Sequence, residues 1–175
     1  MPAALIVAGI ACICTATGGW GWLIARQLRR RPAELAAVQA ALQALRTEIE
    51  YASTPLPDAL RRAATAARGP AAALCRLAAR HLEAGAGASA ADAWSVALDQ
   101  TDALSSWDTS DLAVLGQLGT ALGASGTADQ VRHIALCVGR LRAAEAEARG
   151  GAERQARMWL YLGVLAGAAL VLVTL

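Results

Sequence analysis

The 175-residue chain contains no phenylalanine, no lysine and only two histidines. Charge is also missing by position: no ionisable arginine or carboxylate stands before Arg26 or after Arg157. Each gap excludes something. Between residues 26 and 157, Val, Ile and aromatics, the residues that favour strands, are sparse. Ala, Leu, Arg, Glu and Gln, which are strong helix formers, fill their place. A sheet-based domain is thereby excluded, and the middle of the chain reads as all-α and of single-domain length. A net charge of +2 is too small for nucleic-acid binding, which shows a concentrated basic face.

The usual signs of catalysis are missing as well. His81 and His133 belong to no metal or nucleophile pattern. Gly116, Gly119 and Gly123 fall within or at the end of a helix and form no phosphate loop. Cys12 and Cys14 are two apart, so they point to different sides of a helix. Cys75 and Cys137 lie on or beside apolar helix faces, where buried cysteine is ordinary. No acid, base and nucleophile stand together as an active site needs. The expectation is a non-enzymatic protein with no cofactor, no metal and no small-molecule substrate.

The uncharged ends are the strongest positive signal. Residues 2–25 and 158–175 are apolar, and about 18 such residues suffice to cross a bilayer, where an ionised side chain costs a few kcal/mol. The first stretch lacks the basic start of a secretory signal, so it reads as a retained anchor. Arg26, Arg29, Arg30 and Arg31 follow the first stretch, while Arg149, Arg154 and Arg157 precede the second. Positive flanks stay in the cytoplasm. The pattern predicts a membrane hairpin of two terminal spans, 2–25 and 158–175, around a cytoplasmic helical domain, 26–157. Trp20, Trp22, Trp159 and Tyr161 would anchor it at one interface, where amphipathic rings prefer to sit. Gly163 and Gly167 form a GxxxG, a row that lets helices approach closely, within the hairpin or with another protein. Self-association into a homo-oligomer stays open.

Inside the domain the spacing predicts six helices. The first starts at Pro32 and carries Leu35, Val38, Leu42, Leu45 and Ile49 at 3-4-3-4 spacing, a heptad seam. It ends near Tyr51, before Pro55 and Pro57 force a turn in which Ser53 or Thr54 can cap the next helix. Glu48 and Glu50 read as a solvated face. Further helices are expected over 57–67, 70–83, from Ser89 (with Trp94 and Leu98 inward) and over 109–122. Residues 101–108 read as a polar loop containing Trp107. Thr127 with Gln130 has the form of a capping box opening a long last helix. Gly150-Gly151 is its weak point, since each glycine costs about 1 kcal/mol relative to alanine.

Four stretches, in this order and spacing, resemble one family. They are Gly21-Trp22 with Arg31-Pro32, then Thr47-Glu48-Ile49-Glu50-Tyr51-Ala52-Ser53-Thr54-Pro55-Leu56. Next come Leu118 to Gly123 with Gln130 and His133-Ile134, and finally Met158-Trp159 with Tyr161-Leu162-Gly163. The chain resembles, from end to end, the stage III sporulation protein AB family of endospore-forming bacteria. Gly126 departs from it, because the family more often has Asp there. The resemblance implies a membrane protein of the channel that links mother cell and forespore, on the mother-cell side of the membrane around the forespore. It also implies a helical domain similar to that of the type II secretion platform protein. The implied partners are a secretion-type ATPase, stage III sporulation protein AA, and other channel subunits. The expected partner contacts are Glu48, Tyr51, Thr54, Pro55 and Pro57 in one turn, and Gln130 and His133 beside the other. Simple turn chemistry is the competing account of both. A membrane-anchored adaptor or small transport component unrelated to sporulation is the alternative for the whole chain.

Overall fold

The computed structural model describes residues 30–52, 54–85, 89–123 and 126–174; beyond residue 155 it describes side chains only at Met158 and Tyr161. The described residues form six helices: α1 (Arg30–Tyr51), α2 (Leu56–Thr65), α3 (Gly69–Ala84), α4 (Ala90–Asp102), α5 (Thr109–Ala121) and α6 (Thr127–Thr174). They divide into two units. One is Arg31–Glu147; the other joins Met1–Arg30 to Ala148–Leu175.

The first unit is a helical domain built on the α1 seam. Leu35, Val38, Leu42, Leu45 and Ile49 are all buried. Each aliphatic side chain contributes about 1.5–3 kcal/mol on burial, so this face orders the domain. Helices α2 to α5 pack as successive neighbours and supply Leu60, Leu74, Trp94 and Leu115 to the same core. α1 and α6 run antiparallel: Gln39 donates to Glu145 (2.7 Å), and a groove is shared by Gln43 to Tyr51 and Ile134 to Arg142.

The helix ends follow from local chemistry. Pro70 stands in the first turn of α3, where its missing N–H costs nothing. Ser89 caps α4 by accepting from the Asp92 N–H at 3.1 Å. Asp108 and Asp111 form a reciprocal capping box on α5.

Several expectations change. The capping turn expected at Thr127 does not form: the Gly126 carbonyl takes the Gln130 N–H (3.0 Å), so Thr127 already lies inside α6. Thr54 does not cap α2, whose N-cap is Pro55 without a side-chain bond. Thr101 belongs to α4, fully buried, with its hydroxyl on the Ala97 carbonyl (2.7 Å). Trp107 is buried in what reads as a polar loop. α6 runs unbroken through Gly150 and Gly151.

Of the second unit, the described part is Arg30 and the α6 backbone from Ala148 to Thr174. Among the described residues no helix is long and apolar enough to cross a membrane. The first apolar stretch, with Trp20 and Trp22, lies outside those residues, as do the side chains of Trp159 and most of 158–175. Gly163 and Gly167 fall in α6, and Tyr161 is exposed.

Candidate functional site

The corner between α1 and α2 is organised by Glu48. Its carbonyl accepts from the N–H groups of Ala52 (3.2 Å) and Thr54 (3.5 Å). Its carboxylate accepts from the Thr54 hydroxyl (3.0 Å) and the Arg62 guanidinium (3.1 Å). One residue thus closes the turn twice, through its carbonyl and its carboxylate, and ties it to α2. Pro55, in extended backbone, then lets its carbonyl accept the first helical bond, from Ala59 (3.0 Å), and Pro57 follows in the first turn of α2. Glu48 is therefore more than part of a solvated face. Tyr51 points outward, 78% exposed.

The second turn centres on Gly123. Its φ of +76° suits glycine, and a Cβ there would come within 2.7 Å of the Ala90 Cβ and 4.0 Å of the Leu56 side chain. Leu56 belongs to the first motif, so the two motifs meet at one end of the domain. Gln130, half-buried, begins the second turn of α6. His133 lies elsewhere, on a groove of about 300 Å³ between α5 and α6 with Leu136, Cys137 and Gln117. Tyr51 lines another groove, of about 410 Å³, between α1 and α6.

Within the second motif, Gly119 seats a tryptophan. A Cβ on Gly119 would stand 2.5 Å from the Trp94 ring, and the Trp94 indole donates to the Leu115 carbonyl at 2.9 Å. Leu118 to Gly123 thus joins α4 to α5 and turns toward α6.

A third cluster escapes sequence reading. Asp111 is 1% exposed, yet it accepts from Arg31 at 2.9 and 3.2 Å and from the Asp108 N–H at 3.0 Å. Arg31 also pairs with Asp108. Beside them, Glu34 accepts from the Ser106 N–H at 2.7 Å. This knot fixes the start of α1 to the α4–α5 loop. The hydrogen bond to Asp111 raises the Arg31 pKa further. Burial pushes the Asp108 carboxyl up, but the Ser110 hydroxyl, backbone N–H groups and Arg31 together hold it below its usual value. The Asp108-x-x-Asp111 spacing at a helix start is the one sequence signal that marks the cluster.

The two described cysteines are buried. Burial pushes the thiols of Cys75 and Cys137 up to about 12, so neither is a nucleophile near neutral pH. Among the described residues no three His, Cys, Asp or Glu side chains converge as metal ligands do. What these corners offer is shape and hydrogen bonding.

The model of the family described as "Stage III sporulation protein AB (spore_III_AB)" matches residues 6–175. The chain belongs to the stage III sporulation protein AB family. It is 34% identical over 169 residues to stage III sporulation protein AB of Bacillus subtilis (strain 168), covering 94% of this chain and 95% of that protein. A solved structure of a stage III sporulation protein AB is similar with a TM-score of 0.66 and 33% identity, over 71% of this chain and 97% of the solved one. The all-α arrangement is therefore one that stage III sporulation protein AB adopts, and the chain is a sporulation protein by family.

Proposed function

We propose that the protein is a non-enzymatic membrane platform component of the channel between mother cell and forespore. Two terminal spans hold the helical domain on the mother-cell cytoplasmic side, where it docks a secretion-type ATPase and other channel subunits. The observation that carries this reading is the family match across residues 6–175, because it includes both uncharged ends as well as the domain between them. The arginine-rich borders supply the orientation. Docking is assigned to the corner of Glu48, Tyr51, Thr54, Pro55 and Pro57, to Gln130 beside the Gly123 turn, and to His133 on its own groove between α5 and α6. Gly163 and Gly167 pack the spans against each other or against a neighbouring subunit, and Trp20, Trp22, Trp159 and Tyr161 seat them at the interface.

The test uses the full-length protein in detergent and the purified ATPase. Tyr51→Ala, which removes an exposed ring and leaves the core intact, should reduce co-purification of the ATPase. Unaltered co-purification for both Tyr51→Ala and His133→Ala would remove the docking role from these surfaces. Failure of the unaltered protein to bind the ATPase would remove that partner altogether.

A further inference from the structure

Two exposed features of the helical domain carry opposite charge, each with a charged group that has no partner among the described residues. The first is the groove between α1 and α6. Val138 and Gly139 form part of its floor, and a Cβ on Gly139 would meet nothing within 4 Å. Exposed Tyr51 lines it from α1. Arg46 is paired only along its own helix, with Glu50, and the Arg142 side chain has no ion pair or hydrogen bond among the described residues. The second feature is the outward face of α4, where Asp92, Val96 and Asp99 are exposed one turn apart. Val96 thus stands between two carboxylates. The Asp92 carboxylate takes the Ser89 hydroxyl (2.6 Å), and the Asp99 carboxylate has no partner among the described residues.

We infer that the α4 face of one copy seats in the α1–α6 groove of a second copy. Val96 enters over Gly139, where the missing side chain leaves room, and Asp99 meets Arg142. Arg is among the side chains enriched where interfaces are strongest, and Arg46 and Arg142 border this groove. The two halves lie on different helices and share no residue, so the contact is either reciprocal about a two-fold axis, which closes a dimer, or head-to-tail. Repetition of the head-to-tail form gives a closed ring or an open row.

The test measures the mass of full-length protein in detergent micelles by light scattering over a range of concentrations. The unaltered protein should self-associate. Arg142→Glu and Asp99→Arg should each weaken association by at least about tenfold, because each faces like charge with like charge. An equal mixture of the two variants should recover association, as should the chain carrying both changes. Loss of fold in either variant could not be repaired by mixing. Gly139→Leu, placed in open space, should also weaken association while helicity by circular dichroism is kept. The proposal is overturned if the unaltered protein stays monomeric, if the single reversals associate normally, or if the mixture does not recover. A monomeric protein whose groove variants lose the purified ATPase would give the groove to that partner and likewise overturn it.

Discussion

Gly119 and Trp94 act as one unit. The indole stands 2.5 Å from where a Cβ would be, and its N–H donates to the Leu115 carbonyl. Gly119→Ala should therefore force the ring aside and cost about 1–3 kcal/mol, the usual penalty for overpacking; urea unfolding of the full chain in detergent measures it. Asp111 is the second residue of this kind. Asp111→Asn should cost about 3 kcal/mol, at the low end for breaking a buried pair, because Arg31 keeps 31% of its side chain exposed. Its neighbour Asp108 sets an acid limit. That carboxyl is held below its ordinary value in the fold, so its contribution is complete above about pH 4 and is lost as pH falls through the folded value. The urea midpoint should fall in that window, and Asp108→Asn, which keeps a capping side chain, should flatten the fall. Neither role was visible in the sequence. Arg31 and Asp111 are 80 positions apart, and nothing in composition pairs one arginine with one aspartate. Gly119 was visible only as a member of a motif, without its reason.

The helices themselves were legible to within a few residues, because the physics that sets them is local. Five apolar positions at 3-4-3-4 spacing and paired prolines mark α1 and its end whatever lies elsewhere. Helix caps were less legible, since several side chains compete for the same N–H. Thr54 was free to cap α2 but finds Glu48 instead. The loop before α5 reads as polar, and that polarity hides the burial of Trp107 and the half-buried Glu34 and buried Asp111 that take its N–H groups. Gly150 and Gly151 pose a question for α6. The helix is continuous there, and a Cβ on either residue would meet nothing within 4 Å. Alanine at each should stabilise the helix by about 1 kcal/mol, read as a higher thermal midpoint by circular dichroism. If compliance at this pair matters to function, the same double variant should sporulate poorly while folding better.

For the whole molecule, the charge map makes the largest claim. Every arginine and carboxylate side chain lies between residues 26 and 157, and the proposed topology rests on that pattern. Carbonate washing should leave the chain in the membrane, and protease outside intact protoplasts should leave the helical domain whole; digestion of that domain from outside would reverse the topology. The family was legible from four short stretches. A contact surface draws on what is left unpaired after folding; Arg142 and Asp99 have no partner among the described residues, and sequence alone does not say which charges will find one.

The antiparallel α1–α6 pair has a mechanical corollary. Arg31 feels the charge of Glu147, and Gln39 bonds Glu145, so the domain's two borders stand side by side. Tension drawn through both borders would peel these helices apart like a zipper, breaking a few bonds at a time, and the Arg31–Asp111 knot would be among the first to bear that load.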